Sequence, residues 1–163
     1  MSKMNFLSFC ADNYRKDNVA VILFLTPGSL VSGSSSLDDE FNIVSNNETV
    51  NCLAKLPQVS DSLIINIEDT FDYIGNAFPL ATKNNIIHID TFLKLNYDKE
   101  VIAVCDAGVS RSGFITWYLD KMNKITRDWK KLSPYEFKSQ EMRAITSPLL
   151  TKLAIEYFED MIQ

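Results

Sequence analysis

Val19-Ala-Val-Ile-Leu-Phe-Leu25 is an unbroken apolar run, closed by Thr26-Pro27-Gly28. A strand with one solvated face alternates apolar and polar residues, and this run does not. It is also much shorter than the roughly 18 residues that span a bilayer. It therefore predicts a strand buried on both faces. Leu63-Ile-Ile-Asn-Ile67 and Val101-Ile-Ala-Val104 predict two more strands.

Helical spacing lies between and after these runs. Ile86, Ile89, Phe92 and Leu93 share one face. The mostly apolar stretch from Phe114 to Met122 predicts a central helix. Ser133-Pro-Tyr-Glu136 has the pattern of a capping box with proline at the first helical position. Ser147-Pro148 opens a last helix over Ser147 to Gln163, with Leu149, Leu150, Leu153, Ala154, Tyr157, Phe158 and Met161 at three- and four-residue steps. Residues 28–51, rich in Ser, Gly and Asn, predict a long loop with one short element around Phe41 to Val44. Strands alternating with helices predict a three-layer α/β/α domain with a central, largely parallel sheet. Parallel pairing is expected around Val101 to Val104.

A length of 163 residues suits a single domain over 1–163. Apolar residues make up 46% of the chain, enough for an ordinary core. The net charge of −5 disfavours general binding to nucleic acid or anionic lipid. No apolar run has membrane-spanning length, and the N-terminal residues lack the pattern of a signal peptide, so a cytoplasmic location is expected. Cys10, Cys52 and Cys105 are odd in number and lack metal-ligand spacing. Free thiols are the simple expectation.

Chemistry concentrates in Val101-Ile-Ala-Val-Cys-Asp-Ala-Gly-Val-Ser-Arg-Ser-Gly113. A buried strand ends at Cys105, a short loop follows, and Arg111 opens a helix. Such a loop turns backbone N–H groups inward, and the helix dipole adds positive potential. A phosphate dianion is the natural occupant. The same field favours the thiolate of Cys105, the form that attacks phosphorus. Arg111 can bind two phosphate oxygens and neutralise charge in the transition state. Gly108 permits a tight backbone curve. Ser110 and Ser112 supply hydroxyls, and Ser112 can donate to the Cys105 sulfur.

Cys105-Asp-Ala-Gly-Val-Ser-Arg-Ser-Gly113 resembles the signature loop of the protein tyrosine phosphatase superfamily. It is most similar to the compact dual-specificity type, in the small stand-alone form of bacteria and their viruses. The resemblance implies two-step hydrolysis through a cysteinyl-phosphate, with no metal or other cofactor. It assigns the nucleophile to Cys105, phosphate binding to Arg111 and leaving-group assistance to Ser112. The cradle would be the backbone of Asp106, Ala107, Gly108, Val109, Ser110 and Arg111. The family also uses an aspartate on an earlier loop as general acid. Asp69, just past the second predicted strand and 36 residues before Cys105, fits that place; Asp72 is the alternative. Where the family has histidine before the cysteine, this chain has Val104.

His88, the single histidine, reads as a helix surface residue. Trp117, Trp129 and the Tyr157/Phe158 pair read as packing, and Lys130-Lys131 and Ser32 to Ser36 as solvated surface. Three functions stay open: a protein tyrosine or dual-specificity phosphatase; the same chemistry on an RNA 5′ end, a nucleotide or a phosphoinositide; and a phosphate-binding module without turnover. The residues between Cys105 and Arg111 include no basic side chain and one acid. That composition favours a phosphorylated protein or a small phosphate monoester over a polyanion.

Overall fold

In the computed structural model every residue of β1 (Val19–Leu25) is buried, as the unbroken apolar run requires. The residues described are 1–11, 18–26, 47–68, 80–126 and 146–162. In chain order the elements are α1 (Lys3–Ala11), β1, α2 (47–54), β2 (Val59–Asn66), α3 (Lys83–Leu95), β3 (Glu100–Val104), α4 (Ser110–Thr126) and α5 (Pro148–Ile162).

The sheet is parallel throughout, with strand order β2-β1-β3. Leu23 of β1 is in register with Val104 of β3 and with Ile64 of β2. Side chains alternate across a strand, so β1 feeds two cores. Ala20, Ile22 and Phe24 belong to one, with apolar residues of α3, α4 and α5. Val19, Val21, Leu23 and Leu25 belong to the other, with Phe6 of α1 and Leu53 of α2. Helices thus cover both faces, and the mixed α/β class is as expected. The three predicted strands and the helices around Ile86, Phe114 and Leu150 all form. Their ends fall within a few residues of the sequence reading, as helix and strand boundaries usually do.

Local chemistry explains several of these ends. The Thr82 N–H donates to Asn85 Oδ1 at 2.8 Å before α3. The Thr151 N–H donates to the Ser147 carbonyl at 3.0 Å, closing the first turn of α5. A buried polar knot then ties α3, α4 and α5 together. Asp90 accepts hydrogen bonds from the hydroxyls of Tyr118 and Tyr157, each at 2.9 Å, and from Lys94. Burial and the Asp90 carboxylate together raise the Tyr118 phenol above its ordinary range. The same causes push Tyr157 up to about 12.

Two elements correct the sequence reading. Residues 47–54 are helical, although 28–51 reads as loop. The α1 helix was not foreseen; Ser2 caps it by accepting the Asn5 N–H at 3.2 Å. These two helices also overturn the expectation that Cys10 and Cys52 are free thiols. They bring the pair to a Cα–Cα separation of 6.3 Å as a disulfide. Among the described residues the free cysteine is Cys105, which is buried. Helix α2 and the Cys10–Cys52 pair share the face of the sheet that carries α1.

His88 is exposed on α3, and Trp117 and Tyr157 pack against the larger core, which contains Phe158. The element expected around Phe41 to Val44, the capping box at Ser133 to Glu136, Ser32 to Ser36, Trp129 and Lys130-Lys131 lie outside the described residues, as do Asp69 and Asp72. Among the described residues no helix is long and apolar enough to cross a membrane.

Candidate active site

The C-terminal ends of all three strands meet at one place. Thr26 follows β1, Ile67 follows β2 and Cys105 follows β3. In open parallel sheets, ligands sit outside this end of the strands. Helix α4 begins here too, so its N-terminal dipole points at the same spot.

Cys105 is 2% exposed, and its Sγ lies 3.3 Å from Ser112 Oγ. The strand fixes the cysteine and the first turn of α4 fixes the serine. Ala107 and Val109 of the connecting loop are exposed, whereas Asp106, Gly108 and Ser110 are half-buried. The side chain of Val104 points the other way, into the core that contains Phe6.

Residues 1–3 form one wall of the loop. Ser2 bridges to Cys105 in parallel, the Cys105 N–H donates to the Met1 carbonyl at 3.1 Å, and the Lys3 N–H donates to the Cys105 carbonyl at 3.0 Å. Gly108 has φ +73, in the left-handed region that favours glycine. A Cβ there would stand 2.3 Å from the Ser2 nitrogen and 2.6 Å from the Met1 carbonyl carbon. Gly108→Ala is therefore expected to destabilise the fold by about 1–3 kcal/mol. For a chain of this size each kcal/mol lowers Tm by about 2–4 °C. A thermal melt measures this, and an unchanged Tm would remove the contact between residues 1–3 and the loop.

Arg111 is 3% exposed and spans all three strand ends. Its Nη1 donates to the Ile67 carbonyl at 2.8 Å. Its Nη2 donates to Thr26 Oγ1 at 2.9 Å and to Asp106 Oδ2 at 2.6 Å. The Thr26 hydroxyl donates to the same Asp106 oxygen, and Lys3 forms an ion pair with the other. Burial pushes the Asp106 carboxyl up, but hydrogen bonds from Lys3, Thr26 and Arg111 outweigh it and hold the group below its ordinary value.

The structure thus pairs Cys105 with Ser112 and Arg111 with Asp106, all within one strand–loop–helix unit with Asp106 to Ser110 as the connecting loop. Lys3, Thr26 and the Ile67 carbonyl are site residues that sequence reasoning missed. Thr26 carried a signal, because it sits at the end of the most certain strand. Lys3 carried none, since it reaches the loop only through α1. Chemically, the arrangement offers a buried thiol with a hydroxyl beside it, a helix N-terminus and two cations that share one carboxylate. Comparison with family models, curated proteins and solved structures gives no significant match.

Proposed function

We propose that the protein is a cysteine-dependent phosphoric monoester hydrolase, most simply a protein tyrosine or dual-specificity phosphatase of the superfamily its loop resembles. The observation that carries this is the placement, by one strand–loop–helix unit, of the Cys105 thiol 3.3 Å from the Ser112 hydroxyl, with Arg111 in the same helical turn. On this reading the segment from Cys105 to Arg111 is a phosphate-binding loop.

The chemistry balances in two steps. The Cys105 thiolate attacks phosphorus, an S–P bond forms and the ester P–O bond breaks, and the leaving oxygen takes a proton from an acid. Water then attacks phosphorus and gives a proton to the carboxylate the acid left behind; the S–P bond breaks, the thiolate is regenerated and inorganic phosphate leaves. Ser112 donates a hydrogen bond to the departing sulfur. Arg111 balances the charge that builds on the phosphoryl oxygens. No metal or organic cofactor is required by this sequence of steps.

Asp69 is proposed as the acid, because Ile67, two residues earlier, already holds Arg111 through its carbonyl. Asp69→Asn is expected to lower kcat by roughly 10²–10⁴-fold on an alkyl phosphate, whose leaving group needs the proton. An unchanged kcat would pass the role to Asp72 or to neither residue. We place the reaction in the cytoplasm, where reducing conditions keep a nucleophilic thiol available and would also tend to open the Cys10–Cys52 bridge. The overall test is aryl phosphate hydrolysis from about pH 5 to 8, comparing wild type with Cys105→Ser. Equal rates would dispose of the hydrolase.

A further inference from the structure

We propose that Asp106 is an internal anion that holds Arg111 and yields it to a phosphate, while Lys3 keeps the displaced carboxylate. The choice of phosphate as ligand rests on the hydrolase reading, but the exchange itself does not depend on turnover.

The two oxygens of Asp106 are held by different cations. Oδ1 pairs with Lys3, and Oδ2 accepts from Arg111 Nη2 at 2.6 Å and from the Thr26 hydroxyl. A guanidinium binds a phosphate best through two parallel N–H groups. Nη1 is committed to the Ile67 carbonyl and Nη2 to Thr26 and Asp106. A phosphate oxygen that engages the Nη2 edge must displace Thr26 Oγ1 or Asp106 Oδ2, and of the two the carboxylate is the one with a second cation to retreat to.

Lys3 makes that exchange affordable in a half-buried site. It is 3% exposed, and α1 is fastened by the Ser2–Cys105 bridge and by Phe6 in the core. Its ammonium is thus positioned to stay with Asp106 when Arg111 turns to a ligand, so the carboxylate is not left uncompensated. A carboxylate within a few ångströms of an incoming dianion also repels it. Asp106 therefore raises the threshold for occupancy, and a ligand must outcompete a resident carboxylate to reach Arg111. Asp106 and Lys3 are positioning residues here, not catalytic ones.

Inorganic phosphate binding, measured by isothermal titration calorimetry near neutral pH, tests the exchange. Asp106→Asn removes the competing charge and is expected to tighten phosphate about tenfold. Lys3→Met leaves Asp106 with Arg111 as its remaining cation and is expected to weaken phosphate by a similar factor. These opposite signs are the signature. Weaker or unchanged binding in D106N would overturn the proposal and make Asp106 a simple prop for Arg111. If either variant fails to fold, wild-type protein labelled with carboxyl-¹³C aspartate carries the test. The Asp106 signal is expected to move in step with phosphate occupancy, and a signal that stays still while phosphate binds overturns the exchange. The two readings separate cleanly. Tighter binding in D106N without any hydrolysis by wild type upholds the exchange and sinks the hydrolase. Hydrolysis by wild type with an unchanged phosphate affinity in D106N does the reverse.

Discussion

Cys105→Ser is expected to cut aryl phosphate hydrolysis by roughly 10⁴–10⁶-fold, the range seen when a nucleophile is deleted from an otherwise intact site. The reason is the ionisation of the attacking atom. A thiol gives up its proton far more readily than a serine hydroxyl, which needs a general base beside it to attack. Among the described residues the side-chain hydrogen-bond partner of Cys105 is the Ser112 hydroxyl at 3.3 Å, which is not a base. The fold should survive, because oxygen is smaller than sulfur and Ser112 can still hydrogen-bond to it. Initial rates, with a melting curve on the same samples, measure both effects. Acid-quenched wild-type protein should also carry phosphate that the variant lacks. Turnover within tenfold of wild type, at unchanged stability, would show that the nucleophile lies elsewhere.

That expectation was legible in the chain because its parts are local. Cys105, Gly108, Arg111 and Ser112 lie within one loop and one helical turn, and the run Val101 to Val104 marks the strand that delivers them. The buried strand β1 was legible for the same reason, since seven apolar residues in sequence leave little choice. What the sequence hid depends on distant partners. The apolar residues of α1 do not repeat cleanly, and its N-terminus is placed by backbone bonds to Cys105. Lys3 reaches Asp106 only because of that docking. Cys10 and Cys52 are 42 residues apart, and no count of cysteines reveals that two helices bring them together. Val104 is a similar case. Its burial beside α1 gives a packing reason for an apolar side chain where the resemblance implies histidine.

These non-local contacts change what the loop composition means. With one acid and no basic residue, the segment between Cys105 and Arg111 looks unfavourable to anions. In the folded chain its acid is already matched, because Lys3 and Arg111 flank the Asp106 carboxylate. Two cations thus flank one carboxylate on an otherwise acidic protein. On the proposed reading a single phosphate would use those cations, and a polyanion would find no further basic side chain between Cys105 and Arg111.

Arg111→Lys is the second change with a large expected effect, and it separates charge from geometry. Lysine keeps the positive charge but concentrates it on one ammonium at the end of a flexible stem. Arg111 uses a planar fork to reach the Ile67 carbonyl at 2.8 Å and Thr26 Oγ1 at 2.9 Å at once. An ammonium cannot hold both and still present two parallel donors to a phosphate. kcat is expected to fall about 10³-fold, the lower range for losing an arginine from a phosphoryl-transfer site. The Ile67 carbonyl, left without its buried donor, is expected to cost about 1–3 kcal/mol of stability as well. Steady-state kinetics and a denaturant titration read the two effects separately. A lower kcat with unchanged stability would mean that the ammonium still reaches Ile67 and that the loss lies in the transition state alone. A kcat within tenfold of wild type would mean that charge near Cys105 suffices and that the fork is not part of the chemistry.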